Sequence, residues 1–378
     1  MKIETQAVHL GHGTDPLTGA IATPIYLSTT YERDPDGQYS RGYIYTRWDN
    51  PNRAALEKSL AGLEKGEAAA AFASGLAAIT ALLQALGTGD HVIASEELYH
   101  GTIHIINDIF GRWGLEATFV DTTDIAAVTA AIRPNTKMIY VETPSNPMLR
   151  ITDIRAIADL AKSIGAKSVV DNTWPTPILQ RPLELGADLV IQSTTKYAGG
   201  HSDVLGGAII TKADDEFFKR VRVVQQIGGA VPSPFDCWLI ARGLQTLPCR
   251  VREQSANAAR IAAYLEEHPR VERVYYPGLA SHPGHPVAAK QMTGFGAMLS
   301  FTVRGGQQEA MGAIAKLKLI TRATSLGGVE SLIEHRKSIE GPDSQTPDNL
   351  LRFSVGLENV DDLIDDLETA CVIWTQVL

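Results

Sequence analysis

Cysteine is scarce in this chain. Three residues, Cys237, Cys249 and Cys371, are spread over 378 positions with no CxxC spacing. That set argues against a disulfide framework or a bound metal and fits a reducing, cytoplasmic setting. Basic clusters are missing as well. Thirty-four Lys and Arg stand against 43 Asp and Glu, a formal net charge of −9, so neither nucleic acid nor an anionic membrane surface is an expected partner. The opening Met1-Lys2-Ile3-Glu4-Thr5-Gln6 lacks the apolar core of a signal peptide. Internal repeats and low-complexity segments are absent. One stretch, 68–86, is long and charge-poor enough to span a bilayer, but it is mostly alanine and contains Ser74, Gly75, Thr80 and Gln84. It reads as a strand end, a turn at Ser74-Gly75 and a buried helix of a water-soluble fold.

What is present is a core-forming pattern. Hydrophobic residues make up 44% of the chain, enough for one large domain and a smaller one. Residues 1–50 are rich in Gly, Thr, Pro and Tyr with little periodicity, and read as an extended arm that needs another surface to order it. Over 51–235, helical and strand-like segments alternate: helices at 53–63, 102–113 and 151–164, strands at 91–94, 117–120, 138–142, 167–171 and 189–193. The strands are short apolar runs, so this is an α/β region with a mostly parallel sheet covered by helices on both faces. Gly228-Gly229 and Pro232-Ser233-Pro234 interrupt the pattern. A smaller α+β region, 236–378, follows, with one long helix over 236–267 kinked near Pro248, a strand at 298–303, a helix at 307–315 and a final amphipathic helix at 360–377.

Two strand ends carry chemistry. The run Gln192-Ser193-Thr194-Thr195-Lys196-Tyr197-Ala198-Gly199-Gly200 follows an apolar strand and places one amine beside hydroxyls and a flexible glycine pair. A fixed amine with an anion cradle is what a pyridoxal phosphate (PLP) Schiff-base lysine requires. Ser193 and Thr195 are two apart, so on extended backbone their hydroxyls face one phosphate. The strand 167–171 ends in Asp171, where ligands of open α/β sheets bind. A carboxylate there suits the pyridine nitrogen of PLP, which must stay protonated for the ring to accept electrons.

The chain resembles the Cys/Met-metabolism family of PLP enzymes, which includes cystathionine γ-synthases, γ-lyases and β-lyases and methionine γ-lyases. The resemblance extends from about Thr5 to the C-terminus and rests on Tyr45-Thr46-Arg47 with Asn50-Pro51, Ala73-Ser74-Gly75, Val141-Glu142-Thr143-Pro144-Ser145-Asn146-Pro147, the Asp171 strand, the Lys196 run, Ser325-Leu326-Gly327-Gly328-Val329-Glu330-Ser331 and Leu351-Arg352-Phe353-Ser354-Val355-Gly356. It implies a type I, aspartate-aminotransferase-like PLP-dependent transferase fold and a homotetramer built from active-site dimers. It implies PLP chemistry on a small amino-acid substrate: γ-elimination or γ-replacement of the cystathionine γ-lyase or γ-synthase type. Methionine γ-lyase, cystathionine β-lyase, another γ-substituted amino acid and a non-enzymatic PLP carrier remain as alternatives.

By the same resemblance Lys196 carries the cofactor, and Tyr99 stacks on its ring. Ser74, Gly75, Leu76, Ser193 and Thr195 hold its phosphate, Asp171 faces its ring nitrogen, Thr173 also binds it, and Asn146 donates to its phenolic oxygen as well as to substrate. Tyr45 and Arg47 arrive from a neighbouring subunit. Asn146, Ser325 and Arg352 bind the substrate, Arg352 as a bidentate fork for the α-carboxylate. The departures bear on specificity. Thr324 stands where cystathionine γ-synthases and γ-lyases typically carry Glu, and Gly101 where methionine γ-lyases carry a reactive Cys. His100 replaces a small residue. Glu334-His335-Arg336-Lys337-Ser338 replaces the usual His-Pro-Ala-Ser-Met-type run, which leaves Arg336 either a surface residue or a contact for an anionic substrate side chain.

Overall fold

Apolar runs of four to seven residues form the strands of a seven-stranded sheet in the computed structural model, which describes residues 1–341 and 344–372. In chain order the strands are β1 (Ala68–Phe72), β2 (His91–Ser95), β3 (Glu116–Val120), β4 (Thr136–Glu142), β5 (Lys167–Asp171), β6 (Leu189–Gln192) and β7 (Gly207–Thr211). Their spatial order is β1-β7-β6-β5-β4-β2-β3. Only β7 is reversed: it pairs antiparallel with both β1 and β6, and the remaining pairs are parallel. The carboxyl ends of β1, β2, β4, β5 and β6 therefore share one edge of the sheet. Both faces are covered. Val190, Ala208 and Ile210 point into a core with Leu56 and Leu60 of the helix Pro51–Glu64, while Leu189, Ile191 and Ile209 meet Leu82 and Phe218 on the other side. Burial of each such Val, Leu or Ile stabilises the fold by about 2 kcal/mol.

The second sheet has five strands, β8 (Val271–Tyr275), β9 (Met298–Val303), β10 (Thr321–Arg322), β11 (Leu332–His335) and β12 (Leu350–Ser354), in the order β10-β11-β12-β9-β8. It is antiparallel except for the β10–β11 pair. The helix Leu247–Glu267 covers it, with fully buried Ala258, Ile261, Ala262 and Leu265 in one core with Leu299 and Phe301.

The structure departs from the sequence reading in several elements. The single helix expected over 236–267 is two, Pro234–Gln245 and Leu247–Glu267, meeting at Thr246. Pro248 has no N–H to donate and its ring crowds the preceding turn, so the first helix ends before it and the proline starts the next. The helix expected over 102–113 is an α turn (His100–His104), a π segment (Ile105–Phe110) and a 3-10 turn ending at Gly114, whose φ is 81°. The arm is not wholly extended: Ile3–His9 is a helix that buries Gln6 and Ala7. The charge-poor 68–86 stretch is split into β1 and the helix Gly75–Gln84. Among the described residues no helix is long and apolar enough to cross a membrane. The last helix is described as Val360–Val372, so the rest of the expected 360–377 helix lies outside the described residues.

Candidate active site

Lys196 follows β6 by one tight turn, its N–H donating to Ser193 O at 3.1 Å. Its side chain crosses to the second sheet's side of the molecule and donates from Nζ to Ser325 Oγ at 2.7 Å. Burial and the like charges of Arg352 and Arg336 lower the amine from 10.5 to about 8, although Glu334 opposes them.

Asp171 ends β5, in register with Glu142, which ends β4. Two carboxyl groups thus lie side by side at the sheet edge, both buried. Burial raises the pKa of each, and the Asp171 charge raises Glu142 further, well above the usual carboxylate range. The environments of the two differ. Asp171 Oδ1 accepts the Thr173 N–H at 3.0 Å and Oδ2 lies 3.4 Å from the Tyr140 hydroxyl, both of which favour its ionised form. Glu142 accepts the Tyr99 N–H at 2.7 Å. Of the two, Glu142 is pushed further toward its neutral form, while the Thr173 and Tyr140 bonds favour the ionised form of Asp171.

The anion cradle sits where β1 passes into the helix Gly75–Gln84. Ser74 is the N-cap: its hydroxyl accepts from Ala77 N at 3.0 Å and its carbonyl from Ala78 N at 3.1 Å. The N–H groups of Gly75 and Leu76, first in the helix, are left without helical acceptors. A Cβ on Gly75 would lie 3.0 Å from Ser193 Oγ, so the missing side chain leaves room between helix start and hydroxyl. Thr173 joins the group, its hydroxyl accepting from Ser193 N at 2.9 Å. Thr195 differs from the expectation. Its hydroxyl donates to Gly206 O at 3.1 Å and accepts from Gly206 N at 3.0 Å, so it ties the Lys196 turn to the start of β7 instead of lying free beside Ser193.

Tyr99 stands at the start of the helix His100–His104, its side chain largely exposed at 46%. A Cβ on Gly101 would come within 2.7 Å of the Tyr99 ring and 3.0 Å of Leu76, which places ring, glycine and cradle together. His100 turns elsewhere: its Nε2 meets His104 Nε2 at 2.8 Å, and His104 Nδ1 meets Asp108 at 2.5 Å, all on the exposed side of that helix.

Arg352 lies on β12 and is buried. It donates from Nη1 to Asn146 Oδ1 at 3.1 Å and from Nη2 to Ser325 O at 3.3 Å and Glu334 Oε2 at 2.9 Å. Burial and nearby Arg336 lower its pKa to about 10, so it stays charged near neutrality. Ser325 holds φ at 80°, a left-handed conformation that costs a non-glycine residue about 1 kcal/mol or more. That turn aims its hydroxyl at Lys196 while its carbonyl faces Arg352. Thr324, next to it, is exposed. Arg336 is neither at the surface nor free for a substrate: it is buried against Glu334 and Glu340.

The chain thus brings together Lys196, Ser325, Arg352 and Asn146, and in a second group Asp171, Thr173, Ser193, Gly75, Leu76 and Tyr99. Tyr45 and Arg47 join neither. Arg47 lies over the Tyr45 ring, 5.7 Å from its centroid, and donates to Gln226 O. Sequence reading missed Glu142, Tyr140 and Glu334 as members. Glu142 had a signal, a second acidic strand end inside a recognised motif. Glu334 had none beyond its place in an atypical run.

These groups fit PLP. The cradle has the helix-terminal donors and the gap at Gly75 that a phosphate needs, the amine is buried and lowered toward neutrality, and a carboxylate lies at an adjacent strand end. The comparisons agree. A model of the Cys/Met metabolism PLP-dependent enzymes matches residues 4–372. A cystathionine gamma-synthase of Mycobacterium tuberculosis is 50% identical, covering 97% of this chain and 96% of its own. A cystathionine gamma-lyase of Bacillus subtilis is 46% identical over 98% of this chain and 99% of its own. The crystal structure of metB from Corynebacterium glutamicum superposes with a TM-score of 0.96 at 45% identity, over 99% of this chain and 98% of that one. With the type I fold, the buried lysine and the phosphate cradle already in place, this chain belongs to the PLP-dependent enzymes of Cys/Met metabolism.

Proposed function

We propose that the enzyme removes or replaces the γ-substituent of a homoserine-derived amino acid, as the relatives named cystathionine gamma-synthase and gamma-lyase imply by their names. One observation carries the substrate class. Ser325 accepts Lys196 on its hydroxyl and Arg352 on its carbonyl, so the amine and the carboxylate clamp are one residue apart. An α-amino acid carries its amino and carboxylate groups on a single carbon and fits that spacing.

PLP, when bound, takes up the substrate amino group and accepts the electron pair left at Cα. The chain's residues do the rest. Gly75, Leu76, Ser74 and Ser193 hold the phosphate. Asp171 keeps the proton on the ring nitrogen. Arg352, oriented by Asn146, binds the α-carboxylate, and Ser325 presents the Lys196 amine. Lys196, with a pKa of about 8, accepts the Cα proton and passes protons between Cα and Cβ. Tyr99 would stack on the cofactor ring when PLP is bound, and it or Lys196 would protonate the leaving group. Tyr45 and Arg47 complete the phosphate site of a neighbouring subunit in a cytoplasmic homotetramer. That reading is supported by the arm's exposed Leu17, Ile21 and Leu27 at 93%, 82% and 72%, which need a second copy to cover them.

Thr324 supports breadth toward substrates without a distal ammonium group. It offers a neutral hydroxyl, whereas a carboxylate would hold an ammonium with about 1.5–3 kcal/mol. The test is a panel of O-acyl- and O-phosphohomoserine with cysteine, cystathionine, methionine and homocysteine, with 2-oxo acid and thioether products measured together. Turnover of γ-substituted substrates is expected, with at most a modest preference for cystathionine over O-acetylhomoserine. Thr324→Glu should raise relative kcat/KM for cystathionine by roughly tenfold or more. A parent enzyme that already prefers cystathionine a hundredfold, unchanged by Thr324→Glu, would overturn this view of the pocket.

A further inference from the structure

Glu334 and Arg352 are opposite one another on β11 and β12, and a single oxygen, Glu334 Oε2, accepts from two guanidinium groups. Arg352 Nη2 reaches it at 2.9 Å and Arg336 Nη1 at 2.7 Å. The other oxygen, Oε1, is buried without a partner among the described residues. Arg336 is fixed from behind: its Nε and Nη2 donate to Glu340 Oε1 at 3.0 and 2.9 Å, and Glu340 Oε2 accepts from Ser344 and Thr346 at 2.6 Å each. Arg336, Glu334 and Arg352 are all buried, at 5%, 5% and 4%.

We infer that Arg336 is a positioning residue for substrate binding, acting through the shared oxygen of Glu334 to set the direction and the free charge of the Arg352 fork. The inference rests on the reading of Arg352 as the α-carboxylate clamp. Two physical effects support it. A carboxylate held by one bond can rotate and offer either oxygen, or both, to Arg352; a bidentate grip would pull the fork onto Glu334 and away from a ligand. Arg336 pins Oε2, so Arg352 keeps a single contact there and its remaining directions are set by Asn146 and Ser325. Arg336 also neutralises part of the Glu334 charge. Arg352 then meets an incoming carboxylate with its own charge less compensated. Arg336 gives its Nε, Nη1 and Nη2 to Glu340 and Glu334, so its contact with the Arg352 fork runs through this relay.

The test compares two ligands that react with the cofactor through an amine, one with a carboxylate and one without. Binding of L-alanine and of ethylamine to the PLP-loaded enzyme is titrated by the absorbance change of the cofactor. Arg336→Met should weaken L-alanine by roughly tenfold, the scale of one charge-assisted contact misaligned, and leave ethylamine within about twofold. Glu340→Gln, which loosens Arg336 without removing a charge from the relay's centre, should shift L-alanine in the same direction by less, and it serves if Arg336→Met fails to fold. Arg352→Met is the control. If it leaves L-alanine binding intact, the clamp reading itself fails. If Arg352→Met abolishes the preference for L-alanine while Arg336→Met and Glu340→Gln leave it at the parent value, the positioning role alone is refuted. Equal loss for both ligands in Arg336→Met would likewise refute it, since a general structural defect does not discriminate by carboxylate.

Discussion

Lys196 is tuned by what surrounds it. Burial removes water from its amine and two arginines add like charge, so half of the population is neutral near pH 8 instead of 10.5. Only the neutral amine attacks the cofactor's carbonyl carbon. The rate at which cofactor-free protein takes up PLP should therefore climb about tenfold per pH unit below 8 and level off above it. Stopped-flow absorbance measures this, and a rate still rising steeply at pH 10 contradicts the assignment. Arg352→Met should move the midpoint upward, because it removes one of the charges that lower it. At Glu142 the expectation concerns a group that burial and the Asp171 charge push toward its neutral form. Glu142→Gln keeps an oxygen for the Tyr99 N–H and should retain activity within several-fold. Glu142→Ala orphans that N–H, at a cost of about 1–3 kcal/mol, and should lower both the melting temperature and turnover. Equal damage from Gln and Ala would mean that the charge of Glu142 is needed after all.

At the level of elements, the site is a set of strand ends and helix starts. The short apolar runs of β2, β4, β5 and β6 were legible because buried parallel strands need little but β-branched residues, and Lys196 and Asp171 were legible because each follows such a run. The cross-strand partners were not. Glu334 faces Arg352 only through the pairing of β11 with β12, and no local pattern encodes which strands pair. The π segment at Ile105–Phe110 was equally hidden, since its sequence has ordinary helical spacing and its geometry is set by packing. Thr195 shows the limit of a two-residue periodicity: the chain turns after β6, and its hydroxyl goes to Gly206. The first turn of the helix His100–His104 carries its own prediction. Gly101 has no room for a Cβ beside Tyr99 and Leu76, so Gly101→Cys or Gly101→Ala should push the ring aside. Turnover should fall roughly tenfold or more, on the scale of a misplaced catalytic group, and the cofactor absorbance should shift, with the melting temperature little changed. Unaltered turnover would show that the turn yields freely.

For the molecule as a whole, Tyr45 and Arg47 lie outside both clusters of their own chain, and the arm that bears them exposes Leu17, Ile21 and Leu27. A site shared between subunits should show complementation. Arg47→Ala and Lys196→Ala proteins, each inactive, mixed one to one and exchanged, should recover about a quarter of parent activity, because half of the active-site dimers are hybrid and each has one intact site. No recovery after exchange is verified by mass spectrometry would rule out the shared arrangement. The bond from Lys196 to Ser325 joins positions 129 residues apart, and that from Asn146 to Arg352 joins positions 206 apart. Within one chain the residues proposed to hold the cofactor, from Ser74 to Lys196, precede Ser325 and Arg352, proposed to hold the substrate. A ribosome therefore finishes the cradle long before it supplies the clamp. A message cut short before Ser325 encodes Lys196 without the hydroxyl that accepts from it and without Arg352, while still carrying Ser74, Gly75, Leu76 and Ser193.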